Sequence, residues 1–166
     1  NEFTCNYDAG WLSTYIYRDV RGKYKMCIWD FNSACDNYSH PVTEPQHFEL
    51  QYNVWYYMLS KDEDFMNAVI DRYRELRQGI LSDEYLCAYM DDVTAWLGDA
   101  VDRNFSVWGY ALDKDMLSPA ERNPHTHTEA VAQMKRFCTE RGAWMDENID
   151  ILRQYSHESR NKKFNH

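Results

Sequence analysis

Asp8 and Asp30 are two side chains whose chemistry and placement suggest a shared site. The segment between them reads as a hairpin. Ser13 to Arg18 carries Tyr15, Ile16 and Tyr17, residues suited to a pleated surface. Asp19-Val20-Arg21-Gly22 is a turn by composition, with Gly22 free to take positive φ. Lys23 to Trp29 then alternates, with Tyr24, Met26 and Ile28 on one face and Lys23, Lys25 and Cys27 on the other. In an antiparallel hairpin the start of the first strand and the end of the second share the open end. Two carboxylates distant in sequence would then face one site. That suits Mg²⁺, which takes one or two carboxylates and leaves its other positions to water and substrate phosphates.

Each of these residues also has a plainer reading. Asp30 ends an apolar strand, where a carboxylate is costly to bury unpaired, and there it would cap the loop amides of Asn32 or Ser33. Asp8, taken alone, is an ordinary loop aspartate. His125-Thr126-His127 with Glu129 is a further cluster of metal-ligand types. Residues two apart lie on opposite sides of a helix, so both histidines serve one metal only in an extended segment. Their plainer reading is polar residues in a helix-cap loop. Asp91-Asp92 reads as a solvated helix face, and Trp55-Tyr56-Tyr57 as core.

The motifs carry a family resemblance. Asn1 to Asp8 resembles the N-E-x-x-x-N-x-D stretch of the spore coat protein H (CotH) kinase family. Tyr15-Ile16-Tyr17-Arg18-Asp19, followed by Gly22-Lys23, resembles that family's tyrosine-rich strand and turn. Trp29-Asp30-Phe31-Asn32 resembles its W-D-F-[DN] signature. Trp55 to Leu59 with Asp64-Phe65, Arg72 to Arg77, and Arg103-Asn104-Phe105 with Trp108 fit its helical half in order.

The resemblance covers residues 1–155 and implies the C-terminal lobe of a divergent protein-kinase-like fold, with a polar tail at 156–166. It implies that Asp8 is the catalytic-loop aspartate and Asp30 the metal-binding aspartate of the D-F-G type. Asn6 then steadies the catalytic loop or offers its amide oxygen to the metal, with an Asx-turn as the alternative. Asn32 stands where many members have a second aspartate, and its amide oxygen can still coordinate Mg²⁺. Where many members have an aromatic followed by Gly, this sequence has Cys35-Asp36-Asn37. A side chain there makes positive φ harder to adopt. Asp36 is either a third carboxylate for the metal or solvated.

The implied cofactors are Mg²⁺ and ATP. The implied reaction is transfer of the γ-phosphate to Ser or Thr of a protein at a spore coat or cell surface. A kinase-like fold also needs a lobe that covers the nucleotide phosphates. Neither G-x-G-x-x-G nor G-x-x-x-x-G-K-[ST] occurs in this sequence. The sequence therefore reads as the C-terminal part of a longer protein, without its N-terminal lobe and inactive alone. The alternatives are a catalytically idle adhesion or assembly module of the same family, and a helical packing module whose partner lobe lies elsewhere.

Composition sets outer limits. The 166 residues fit one domain, and 13 tyrosines, 7 phenylalanines and 6 tryptophans supply large amphipathic core residues. A net charge of −9 disfavours nucleic-acid binding, and an acidic surface suits a basic, Ser-rich protein substrate or simply solubility. The five cysteines have no zinc-site spacing, and reduced thiols are the expectation. No apolar run reaches the roughly 18 residues of a membrane span.

The rest of the sequence reads as helical, giving a mainly α fold of one short hairpin and about four helices. Ser33 to Gln46 is a polar loop with Pro41 and Pro45. Helices are expected over His47 to Ser60 and Glu63 to Gln78. Ser82 then caps one long helix that runs on to Trp108. A last helix, capped by Thr126 or Thr128, extends to Tyr155.

Overall fold

The computed structural model describes residues 1–39, 45–49 and 53–157. Tyr15–Tyr17 (β1) and Lys25–Cys27 (β2) pair antiparallel, with Ile16 opposite Met26. The expected hairpin is present but shorter at both ends. Its turn closes by the Gly22 N–H donating to the Asp19 carbonyl at 2.9 Å, and Gly22 does so without positive φ. Both strands are exposed. What stiffens the hairpin is local: Arg18 Nε donates to the Gly22 carbonyl, and the Tyr15 ring meets Trp29 edge-on.

Five α-helices follow among the described residues: α1 (Val54–Leu59), α2 (Glu63–Arg77), α3 (Asp83–Leu97), α4 (Ala100–Trp108) and α5 (His127–Asn148). Side-chain caps set four of the starts, because the first N–H groups of a helix lack internal partners. Asn53, Asp62, Ser82 and Thr126 accept from the N–H groups of Trp55, Phe65, Tyr85 and Glu129 respectively.

The core lies where α2 and α5 meet the N-terminal segment. Met66, Ile70 and Tyr73 from α2 pack with Phe137, Cys138 and Met145 from α5, joined by Phe3, Cys5 and Phe48. A 3₁₀ stretch at Ile149–Tyr155 closes this core with Ile149 and Leu152.

Three expectations need correction. The first helix begins at Val54, not His47: Asn53 caps it, and residues 47–49 form a loop held by Arg141, which donates to the His47 carbonyl. The long helix from Ser82 is two helices, because Gly98 takes φ 46° and ends α3. Apolar residues keep recurring beyond it, which hides the break in the sequence. Trp55 is 75% exposed and is not core. Residues 40–44 of the proline-containing loop, Leu50 of the first helix, and 158–166 of the polar tail lie outside the described residues.

Candidate active site

The site is assembled from two loops at the open end of the hairpin. Before β1, the Asp8 carbonyl accepts from the N–H groups of Trp11 and Leu12 at 3.1 and 3.0 Å, which fixes the Asp8 backbone in a turn. Asn53 clamps the same turn: its Nδ2 donates to the Ala9 carbonyl at 3.1 Å while its Oδ1 caps α1. One amide therefore couples the start of α1 to the residue after Asp8.

After β2, Asp30 takes φ 51°, a left-handed conformation that aspartate tolerates better than most residues. A short 3₁₀ turn, Phe31–Ser33, follows, and the Asp30 carboxylate does not cap it. The expected capping role is thus not what this exposed side chain performs. Ser33, buried, instead donates its hydroxyl to Asp8 Oδ2 at 2.8 Å. That bond brings the loop carrying Asp30 alongside Asp8. A second tie runs from the Cys35 N–H to the Thr4 carbonyl at 2.7 Å, and the Tyr7 and Tyr38 rings meet at 4.7 Å.

The remaining expected residues divide. Asn6 is buried, its Nδ2 donating to Asn1 Oδ1 at 3.2 Å, while its own Oδ1 has no hydrogen-bond partner among the described residues. A buried acceptor left without a donor costs about 1–3 kcal/mol. Such an oxygen two residues from Asp8 fits a cation or a donor brought by a ligand. Asn32 is exposed, and its backbone carbonyl accepts from Asn37 Nδ2.

Asp36 is engaged elsewhere: Arg122 Nη2 meets its Oδ1 at 2.7 Å and Arg122 Nε its Oδ2 at 3.1 Å. The same guanidinium holds the carbonyls of Asp36, Tyr38 and Ser118. A metal at Asp36 would have to compete with that arginine. Cys35 and Asp36 both adopt positive φ, at 56° and 62°. The backbone thus keeps a left-handed bend even though side chains stand there.

Sequence reasoning missed Ser33, Asn53 and Arg122. A hydroxyl three residues after Asp30, an amide on another element and a distant arginine follow no spacing rule. The signal for Asn53 was its cap-forming type just ahead of an apolar run.

The other cluster is a cap. Thr126 Oγ1 accepts from the Glu129 N–H, Glu129 Oε2 accepts from the His125 N–H, and His125 Nδ1 meets the Leu112 carbonyl at 2.9 Å. Among the described residues, no group of three or more His, Cys, Asp or Glu side chains could hold a metal. The two carboxylates with an amide oxygen nevertheless match the donor types of Mg²⁺, which needs few protein ligands.

Three thiols sit beneath the loops. Burial pushes the Cys5 thiol up to about 12. A hydrogen bond to Cys138 raises Cys35, and accepting that bond lowers Cys138. None of the five cysteines is in a disulfide.

Two carboxylates at the open end of a hairpin, mounted on a helical body, define a candidate site for a hard cation and phosphate oxygens. A family model described as CotH kinase protein matches residues 1–145, and the chain belongs to the CotH kinase family. Membership points to a kinase-like function, with nucleotide and metal use and a protein substrate as its general terms, and the family name associates it with spore coats. Neither the curated proteins nor the solved structures gave a match. No helix among the described residues is long and apolar enough to cross a membrane.

Proposed function

We propose that this chain is the C-terminal lobe of an atypical protein kinase that transfers the γ-phosphate of ATP to Ser or Thr of a coat or surface protein. The observation that carries the reading is the Ser33–Asp8 hydrogen bond, which sets the loop of Asp30 beside Asp8. Asp8 orients the acceptor hydroxyl and takes its proton at the carboxylate. Asp30, exposed and uncommitted to the turn after it, is the principal metal ligand, with the amide oxygens of Asn6 and Asn32 in support. Bound Mg²⁺ would neutralise charge on the transferring phosphates. Asp36, held by Arg122, positions the loop in this reading.

The hairpin supports a second lobe. Ile16, Val20, Tyr24 and Ile28 are 65%, 98%, 72% and 82% exposed. So much apolar surface on one small element marks a packing face. We assign it to the nucleotide-binding lobe of the same protein, without which this segment is inactive. The acidic balance of the chain suits a basic, Ser-rich substrate.

The test is Mg²⁺-dependent transfer from ATP to a Ser-rich basic protein by the chain joined to its upstream lobe, beside Asp8→Asn and Asp30→Asn. Transfer that both substitutions abolish, with folding intact, supports the assigned roles. A folded wild type that neither transfers phosphate nor binds Mg²⁺–ATP would instead make this an idle adhesion or assembly module. The Asp36–Arg122 pair, which occupies a carboxylate near the metal loop, is the feature that favours that second reading.

A further inference from the structure

α3 carries a row of aromatic side chains that the fold leaves uncovered. The helix leans on the body through one side only: Leu86 and Met90 pack against the core, Asp83 pairs with Arg77 at 2.7 Å, and Asp91 pairs with Lys135 of α5 at 2.5 Å. Its other side repeats Tyr85, Tyr89, Asp92 and Trp96 at steps of four, three and four residues, which on a helix form a single stripe. The Tyr85 and Tyr89 rings lie 6.2 Å apart and 6° from parallel along it. Every member of the stripe is exposed, Trp96 to 84%. Rings aligned in this way leave contiguous apolar area in water, which marks a surface for a partner.

Charge decides the kind of partner. From Asp83 to Trp108 the chain has six carboxylates and one base, Arg103. Glu84, Asp92, Asp99 and Asp102 are exposed and take part in no ion pair among the described residues. A second copy presenting the same face would set carboxylate against carboxylate. A guanidinium or ammonium gains twice there, from the carboxylates and from the faces of the Trp and Tyr rings. The stripe is about 16 Å long, the reach of about five residues of extended chain.

We propose that the Tyr85–Trp96 face of α3 docks a basic segment, bearing Arg or Lys, of a second protein. Trp96 anchors the segment as the most exposed ring of the stripe. Asp92, which falls between Tyr89 and Trp96 on the same face, meets the cation seated over those rings. Glu84 and Asp99 extend the attraction past the two ends of the stripe. Docking on α3 is independent of phosphoryl transfer at Asp8 and Asp30.

The test titrates the folded chain into a fluorescein-labelled peptide of alternating Arg and Gly, which has no Ser or Thr to accept phosphate. Saturable one-to-one binding is expected, weakening as salt rises. Trp96→Ala and Tyr89→Ala change no charge and remove rings that lie outside the core, and each should weaken binding about tenfold. Asp92→Asn should weaken it too and flatten its salt dependence. Circular dichroism and Tm establish that each variant is folded, and the two ring variants are independent, so either decides if the other fails to fold. Absence of binding by the wild type overturns the proposal. So does binding that the ring variants leave unchanged, which would reduce it to diffuse attraction by the net charge of −9. Sedimentation of the wild type alone reads the competing occupant: a dimer that Trp96→Ala dissociates would assign the face to a second copy and overturn the proposal as well.

Discussion

The Ser33 hydroxyl donates to Asp8 Oδ2 at 2.8 Å, joining residues 25 positions apart on opposite sides of the hairpin. A carboxylate that must accept a proton works best when one oxygen is held and the other is left for substrate. Ser33→Ala removes the holding donor and little volume. On the proposed kinase reading, with the chain joined to the lobe that reading requires, kcat should fall about tenfold while KM for ATP changes little. Ser33→Thr, which keeps the hydroxyl, should recover most of the rate. Equal rates for wild type and Ser33→Ala, measured by phosphate transfer, would remove Ser33 from the site.

Gly10 makes the same turn possible. Its φ is +82°, and a Cβ there would stand 2.3 Å from Asn53 Nδ2. Alanine must therefore adopt a left-handed backbone, at about 1–2 kcal/mol, and push away the amide that clamps Ala9 and caps α1, at about 1 kcal/mol more. Urea unfolding of Gly10→Ala should show a loss of about 2–3 kcal/mol. A loss as small as that of the half-buried Gly109→Ala, where nothing lies within 4 Å of an added Cβ, would show that Asn53 yields freely.

The elements legible in the sequence were those with local causes. The hairpin followed from strand residues around Asp19–Gly22, the α2 start from the pattern opening at Glu63, the α3 start from Ser82, and the α5 start from Thr126 or Thr128, of which the structure uses Thr126. Gly98 broke α3 from α4 invisibly, because α4 resumes the apolar spacing. Asp8 and Asp30 were legible as candidates. Their supports were not: Ser33, Asn53 and Arg122 act through contacts that depend on how distant segments meet. The commitment of Asp36 to Arg122, 86 residues away, is of that kind.

Arg141 is 0% exposed and organises the N-terminal segment. Its guanidinium donates to the carbonyls of Glu2, Pro45 and His47 and to the Glu2 carboxylate, and it lies 5.2 Å from the Trp144 ring. Arg141→Met would strip those part-buried acceptors of a donor and remove the buried guanidinium that pairs with the Glu2 carboxylate. The expected loss is about 3–5 kcal/mol. Arg72, paired with Glu75 on the open surface of α2, should cost about 0–0.5 kcal/mol when changed to Met. Denaturant midpoints with equal m-values compare the two directly. Similar losses would mean that Arg141 contributes through packing and not through its bonds.

Tyr73 gives the core a dependence on alkaline pH. Its hydroxyl donates to Asp146 Oδ1 at 2.6 Å, with the Gly142 carbonyl at 3.2 Å. Burial first, and then the Asp146 carboxylate, raise its phenol above the ordinary value near 10. Between the unfolded and folded values, the unfolded chain has released the phenolic proton and the folded chain still holds it. Unfolding therefore gains from rising pH, and the stability Tyr73 contributes is full below about pH 10 and is lost as pH climbs toward the folded value. The cost approaches about 1.4 kcal/mol per pH unit for this one proton. Tyr73→Phe should be about 1 kcal/mol less stable than wild type at pH 8 and should lack this component of the alkaline decline. The two stability curves should thus converge as pH rises above about 10. Parallel curves through that range would mean that the Tyr73 phenol ionises alike in both states, and its bond to Asp146 would then not be made in solution.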